Sequence, residues 1–519
     1  LVIEAESGRL IPHWAEFDHF SVDDGQPVIV LRLAIRLDFS TRYIVAVQKL
    51  VDADGKPVPA SPGFSALRDR SASVTVGVHG RRLHFENDVF PVLEKAGVDR
   101  TQLQLAFDFT TQSAANSTTR LLTMRRKLFE IIGDEGPTYK INEVEVRDDP
   151  DLAYTVRGVA YVPSFLLPRQ TNGIRRLRID ANGDPVPEGT EEVAFDLHIP
   201  HSVLQSSDPV PLMQFGHGFL GSKIAGEDPW LKSMSNRLKF VVLAADMQGL
   251  TGTDGLLWAA NMTKSVSVFP EVLEAPLQGV INHLALARLM KGRFLGETNP
   301  TITRNGQPLY DPSRVYYYGN SQGGTIGSLM MSIQTDITRG VLGVPGCAFA
   351  FLLQRSSEFT PFVSMLRRSY PDVVEFVAIF SVMQQGFNRL EPLHFIDRIT
   401  ENPFPDTPSH RVMLHLAKED AQVATVISYL MGRTVGAKLM VPAIRPVWGL
   451  EEVSYPYEGN SLIEYDFGVP DNPKPTYPAA KETDTHGLLR KLPIGQDQVW
   501  HFLETGETIS VCDGPCDPQ

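Results

Sequence analysis

Gly319-Asn320-Ser321-Gln322-Gly323, followed directly by Gly324, is the stretch on which the fold turns. Before it stands Val315-Tyr316-Tyr317-Tyr318, a β-branched and aromatic run that reads as a short buried strand. After it, Thr325 to Met331 has a helical pattern. A sharp strand-to-helix turn holds its central serine in a strained conformation and leaves no room for a side chain beside it, which accounts for the flanking glycines. Such a turn lifts the Ser321 hydroxyl above the sheet and leaves the Gln322 N–H at a helix start. Gly-x-Ser-x-Gly is a weak pattern by itself. The strand before it and the helix after it make it specific, against the competing reading of a Gly-rich helix-entry loop.

Outward from that turn, short apolar runs alternate with helices from about residue 190. Strands are expected at Pro211 to Phe215, Phe240 to Ala245, Val341 to Val344 and Val412 to Leu416, and a helix carries Leu277, Ile281, Leu284 and Arg288. This alternation predicts an α/β domain with a mostly parallel sheet covered by helices on both faces.

A serine nucleophile needs a base, and the base needs an orienting group. After the strand Val412 to Leu416 come Glu419 and Asp420. Asp420 is the expected acid, with Glu419 as rival; Asp420 also suits N-capping of a helix over Ala421 to Met431. His486, in the loop Asp484-Thr485-His486-Gly487, is the expected base. His501 lies on an expected terminal helix and is the second choice. Oxyanion donors are expected from Met213-Gln214-Phe215-Gly216-His217-Gly218-Phe219-Leu220-Gly221, whose glycines let backbone N–H groups turn inward. The Phe219 and Gln322 amides are the expected pair, and His217 is expected to be structural because it precedes the serine.

The residues His217-Gly218, Gly319 to Gly323, Asp420 and His486, in that order, resemble the α/β-hydrolase superfamily over about residues 190 to 510. The His-Gly-Phe-Leu-Gly loop is similar to that of bacterial lipases and esterases. Leu105-Ala106-Phe107-Asp108-Phe109-Thr110-Thr111 resembles the N-terminal domain of lipases of the virulence-factor type. The resemblance implies an α/β-hydrolase fold with a helical cap and a β-rich N-terminal domain. It implies a bacterial protein that is secreted, periplasmic or on the cell surface, and a serine hydrolase of carboxylic esters: lipid, aryl ester or polyester. That chemistry needs no metal or organic cofactor. A prolyl-oligopeptidase-type peptidase is the alternative enzyme, suggested by the doubled Gly323-Gly324, though no blade repeats are evident. A non-catalytic binding protein on the same fold is a further alternative.

The remaining chain sets the domain plan. Residues 1 to 140 read as a β-rich accessory domain, with alternation from Leu31 to Phe39, a strand at Tyr43 to Val47 and alternation again from Leu103 to Phe109. Helical patterns cover Arg81 to Ala96 and about Ala115 to Ile132. Residues 141 to 189 hold strands at Tyr139 to Val146 and Tyr154 to Val162 and a linker, and 190 to 519 form the catalytic domain. Asp180, Asn182, Asp184 and Glu191 have calcium-loop spacing, but Pro185 stands where that loop needs glycine, so a turn like that at Asp52-Ala53-Asp54-Gly55 is expected. A cap insertion is expected at about 347 to 405. Nine of the 47 residues from Phe349 to Phe395 are aromatic, twice the chain's 9%. Phe349, Phe359, Phe362, Phe376 and Phe380 are the expected contacts for an acyl chain or ring, and some of them must also form the cap's own core.

Composition limits the partners. The 519 residues allow two or three domains. With 42% hydrophobic and 21% charged residues the chain is not of disordered type. A net charge of −13 argues against nucleic acid. The longest apolar run, Val341 to Leu353, is too short for the ~20 residues of a membrane helix. No leader pattern opens the chain, so a signal peptide is expected to have been removed or never present, with natural sequence extending upstream of Leu1. Cys512 and Cys516 close a five-residue loop and are expected to form a disulfide suited to an exported protein, while Cys347 is left over in an apolar stretch.

Overall fold

A computed structural model of the chain describes residues 1–73 and 76–518. It divides into two compact units, Leu1–Glu16 with Ile29–Asn116, and Phe17–Val28 with Ser117–Gln519. The division falls at residue 116, where the sequence had suggested about 140. The helix α1 (Ala114–Ile132) explains the difference. Its buried Leu121, Met124 and Leu128 recur at helical spacing, and its Arg125 Nη1 donates to the Ile333 carbonyl at 3.1 Å, inside the larger unit.

The smaller unit is built on an antiparallel sheet of β1 (Val2–Glu4), β2 (Arg42–Gln48) and β3 (Leu103–Thr110), with β2 central. One face carries Ile3, Ile44 and Ala106 and packs on helical Phe64, Leu67, Val89 and Phe90. The other carries Tyr43 and Val45, covered by Leu31, Leu33, Ile35 and Leu37. Regular strand structure in this latter segment ends at Leu33, short of the expected Phe39. On the edge strand β3, Leu105, Phe107 and Phe109 stay exposed, outside the cluster that covers Val2 of β1 and Tyr43 and Val45 of β2.

The larger unit holds an eleven-stranded sheet. Its strands are β4 (Thr138–Val146), β5 (Leu152–Pro163), β6 (Thr190–Pro200), β7 (Val210–Gly216), β8 (Val241–Ala245), β9 (Tyr310–Asn320), β10 (Arg339–Gly343), β11 (Arg411–Ala417), β12 (Lys438–Val441), β13 (Glu452–Ser454) and β14 (Ser461–Tyr465). They lie in the order β13-β12-β14-β11-β10-β9-β7-β8-β6-β5-β4. The pairs β4–β5, β5–β6 and β6–β8 are antiparallel, and every pair from β8 to β13 is parallel. An antiparallel strand, β6, set between β5 and a parallel run whose order reverses at β8-β7, is the α/β-hydrolase arrangement; a second crossover places β14 between β11 and β12. Strands buried on both faces read as near-continuous apolar runs, as β8 (Val-Val-Leu-Ala-Ala) does.

Two insertions stand at the carboxyl ends of the parallel strands, where ligands bind in open α/β sheets. One follows β8 and contains α2 (Gly252–Met262), leading to α3 (Glu274–Lys291). The other follows β10 and contains α5 (Phe349–Arg355), α6 (Thr360–Ser369) and α7 (Val373–Phe387), with α4 (Gln322–Ile333) lying between β9 and β10. The buried Glu391 anchors the second insertion: its carboxylate accepts from the Ala348 and Phe349 N–H groups at 2.8 and 3.0 Å and from Gln384 Nε2 at 2.9 Å. Residues 17–28 pack on the same insertion, with Phe20 edge-on to Phe376 (centroids 5.3 Å) and Asp24 ion-paired with Arg367.

The two Asp-Gly segments are turns. Asp180 Oδ1 accepts from the N–H groups of Asn182 and Asp184, as Asp52 Oδ1 does from Asp54 and Lys56. No cluster of three or more His, Cys, Asp or Glu arranged for a metal occurs among the described residues. Cys512 and Cys516 are disulfide-bonded with Cα atoms 5.4 Å apart, and Cys347 is a buried free thiol. Among the described residues no helix is long and apolar enough to cross a membrane.

Candidate active site

Ser321 follows Asn320, the last residue of β9, and caps α4 with φ 59° and ψ −121°, a conformation that costs a non-glycine residue of order 1–3 kcal/mol. The turn is held on both sides. The Ser321 N–H donates to the Gly343 carbonyl at 2.8 Å, the Ser321 carbonyl accepts from the Thr325 N–H at 2.8 Å, and Tyr317 Oη donates to the Gly323 carbonyl at 2.6 Å. The glycines are required by space. A Cβ on Gly323 would stand 2.1 Å from the Gly216 carbonyl oxygen, and one on Gly319 would stand 2.3 Å from that of Gly323. β7 and the elbow thus touch backbone to backbone, which brings the loop after β7 beside the serine.

In that loop Gly218 lies against Ser321, its missing Cβ 3.7 Å from Ser321 Cβ. The Gly221 N–H donates to the Gly218 carbonyl at 3.0 Å, a turn that leaves the Phe219 N–H outside its own hydrogen bond. Gln322 opens α4, so its N–H has no intrahelical acceptor. The Gln322 side chain reaches across to the Leu250 carbonyl at 3.1 Å. His217 is structural: Nδ1 lies 2.9 Å from the Gly218 carbonyl and Nε2 accepts from the Met247 N–H at 2.9 Å. These contacts place the proton on Nδ1, and burial pushes the imidazole pKa down, so the ring stays neutral.

Asp420 and His486 meet beyond the ends of β11 and β14. His486 Nδ1 is 2.7 Å from Asp420 Oδ2, and both side chains are almost fully buried. The other carboxylate oxygen, Oδ1, accepts from the Gln422 and Val423 N–H groups, each at 2.8 Å. The helix expected from Ala421 begins only at Thr425 (α8, Thr425–Val435), although Asp420 Oδ1 binds the amides two and three residues on as a helix cap would. Glu419 points elsewhere and accepts from the Asn472 N–H at 3.1 Å. His501 is on α9 (Pro493–Thr505), paired with Glu507 at 3.2 Å. Ser321 Oγ makes no hydrogen bond to His486 in this structure.

A cavity of about 60 Å³ opens beside Ser321. Phe349 and Phe359 line it. Phe362, Phe376 and Phe380 do not: Phe362 packs behind Phe359 and Phe219, while Phe376 and Phe380 are buried on one another at 5.1 Å and form the core of the insertion. The α7 periodicity places Phe376 and Phe380 on one face and Phe387 two turns on, and it is Phe387 that reaches the cavity, stacked on Phe349 at 4.4 Å. Further lining comes from the first insertion, with Leu250, Trp258 and Leu273. Sequence reasoning missed that lining. Its only signal was the apolar Leu256-Leu257-Trp258-Ala259-Ala260 run, which gives no hint of which cavity it faces.

No protein-family model matches the sequence. UDP-N-acetylglucosamine 1-carboxyvinyltransferase of Aeromonas hydrophila subsp. hydrophila is 28% identical over 114 residues, 22% of this chain and 27% of that protein. The chain thus matches about a quarter of that relative's length. Among solved structures, the chain is similar to an acetyl xylan esterase from a Paenibacillus species (13% identity, TM-score 0.40, 75% of this chain and 98% of that one). Acetyl xylan esterase 1 from a Thermoanaerobacterium species matches at 10% identity and TM-score 0.38, over 69% and 90% of the two chains. A hyperthermophilic esterase from the archaeon Pyrobaculum calidifontis matches at 12% and 0.32, over 86% and 98%. The fold assignment rests on the strand order itself.

Proposed function

We propose that the protein is a serine hydrolase of carboxylic esters whose acyl group is short. The observation that carries this reading is a serine held at φ 59° on a strand-to-helix elbow, opening on an apolar cavity, in a chain that also pairs a buried histidine with a buried aspartate beyond the carboxyl ends of the same parallel strands. Ser321 Oγ attacks the ester carbonyl carbon while His486 Nε2 takes its proton, and Asp420 holds the proton on Nδ1 and stabilises the imidazolium. The Phe219 and Gln322 N–H groups receive the oxyanion. Collapse of the tetrahedral adduct expels the alcohol, which takes the proton from His486. A water deprotonated by His486 then attacks the acyl-enzyme, and the acid departs as Ser321 is reprotonated. Contacts between nucleophile and base are often long before substrate binds, so the Ser321–His486 bond is assigned to the substrate complex.

The size of the cavity supports the short acyl group. Its 60 Å³ is well under half of the roughly 150 Å³ that accommodates benzene in an engineered core. The disulfide supports an oxidising location outside the cytoplasm.

The test is labelling with a fluorophosphonate together with hydrolysis of p-nitrophenyl esters from C2 to C16. Labelling and activity both lost in Ser321→Ala, with the wild type most active at C2 to C4, is the expected result. Labelling that persists in Ser321→Ala removes Ser321 as nucleophile. A wild type that labels and cleaves no ester moves the activity to another acyl class, amides first.

A further inference from the structure

The loop that carries His486 and the loop that carries Asp420 are tied together by a second carboxylate. Asp484 Oδ1 accepts from the Ala421 N–H at 3.0 Å and from the His486 N–H at 3.1 Å. Asp484 Oδ2 accepts from Gln422 Nε2 at 2.8 Å. One carboxylate therefore binds the backbone next to the proposed acid, the backbone of the proposed base itself, and a side chain that lines the cavity. A parallel tie runs from Thr485 Oγ1 to the Lys418 carbonyl at 2.7 Å. Between these two ties the His486–Asp420 contact spans 66 residues of sequence.

We infer that Asp484 is a positioning residue: it clamps the base-bearing loop onto the acid-bearing loop and so fixes the imidazole over the serine. The inference rests on the ester-hydrolase reading above. Neither loop supplies this rigidity alone. The segment from Asp466 to Ala480 before it is irregular, and His486 lies in a turn between two single-turn 3-10 segments, Lys481–Thr483 and Leu489–Lys491, with no longer element to hold it. A histidine in such a loop needs its backbone held as well as its ring, because an error of about 1 Å in a catalytic group costs on the order of 10²-fold in rate. The Asp484 carboxylate is hydrogen-bonded to the backbone of Ala421 and His486 and to Gln422 Nε2, so its effect is on placement. It does not take part in proton transfer.

The experiment compares Asp484→Ala, Asp484→Asn and Asp484→Glu with wild type and Ser321→Ala in steady-state hydrolysis of a short p-nitrophenyl ester, with Tm measured for each. Asparagine keeps an acceptor at Oδ1 for both N–H groups, and the Gln422 amide turns over to meet its NH2. Expected are a 10- to 100-fold fall in kcat for Asp484→Ala with KM within threefold, a tenfold fall for Asp484→Glu, and kcat within threefold of wild type for Asp484→Asn. Wild-type kcat in Asp484→Ala overturns the inference. Equal losses in Asp484→Ala and Asp484→Asn overturn it too, since the carboxylate charge would then be what matters. If Asp484→Ala fails to fold, the Glu and Asn variants decide, and equal activity in those two overturns the clamp. Full activity in Ser321→Ala is a different outcome, which removes the ester-hydrolase reading and the clamp with it.

Discussion

His486 Nδ1 and Asp420 Oδ2 stand 2.7 Å apart in a setting almost closed to water, and the aspartate's other oxygen is held by two backbone N–H groups. The carboxylate is thus fixed in orientation before it meets the histidine. Asp420→Asn keeps the shape and reverses the hydrogen-bonding sense toward Nδ1, so kcat is expected to fall by about 10⁴ while Tm changes little. Glu419→Gln is expected to keep activity within threefold, since Glu419 faces Asn472. Steady-state kinetics and a melting curve on both variants check the pair, and the opposite ranking would transfer the role to Glu419.

Gly323→Ala is expected to destabilise the larger unit by about 3 kcal/mol or more. The added methyl meets the Gly216 carbonyl of β7, a rigid strand atom that cannot move aside. Gly296→Ala, where nothing lies within 4 Å, is the control and is expected to stay within about 0.5 kcal/mol. Urea denaturation of both proteins reads the difference.

Under the proposed function the cavity wall sets chain length. Leu352→Ala removes a buried side chain from the lining and is expected to move the preferred p-nitrophenyl ester from C2–C4 toward C6–C8, with activity on acetate falling severalfold. Phe376→Ala, inside the insertion and away from the cavity, is expected to cost about 3–5 kcal/mol of stability without moving the optimum. A chain-length profile unchanged in Leu352→Ala would place the acyl group elsewhere.

Reducing the Cys512–Cys516 bridge is expected to cost about 2 kcal/mol or less, because the closed loop is very short and constrains little of the unfolded chain. Melting with and without dithiothreitol measures this. A mass spectrum of the protein purified without reductant that shows both thiols free would remove the bridge.

In the smaller unit, hydrogen bonds from Arg100 and then Arg70 hold the Glu86 carboxyl down at about 2. A carboxylate whose folded pKa is depressed adds stability above its unfolded pKa of about 4.5 and loses it as pH falls through about 2. Glu86→Gln is therefore expected to lower stability by about 1 kcal/mol at pH 7 and by progressively less between pH 4.5 and 2. Denaturation curves at pH 7, 4 and 2.5 check the sign: a difference that grows toward acid would contradict it.

What could be read from the chain was local. Gly319 to Gly323 with Tyr317 before them encode a strained elbow within a few bonds, because the steric limits on φ and on Cβ act between near neighbours. The buried strands Val241–Ala245 and Arg411–Ala417 declared themselves as apolar runs, and the strand ends pointed to Asp420. Periodicity was less informative where burial was uneven. Leu105, Phe107 and Phe109 alternate as a dry face does, yet remain exposed on an edge strand.

The order of the proposed serine, acid and base, and the residue types available for them, were determined by the sequence by itself. The tertiary structure decided which distant groups meet. It put Trp258 and Phe387 in the lining of one cavity, turned Phe376 and Phe380 into packing, bound residues 17–28 into the larger unit and set Asp484 across two loops. The physical reason is range: backbone strain and periodicity act over a few residues, whereas a cavity wall or a carboxylate bridging Ala421, Gln422 and His486 exists only once strands far apart in the chain lie side by side.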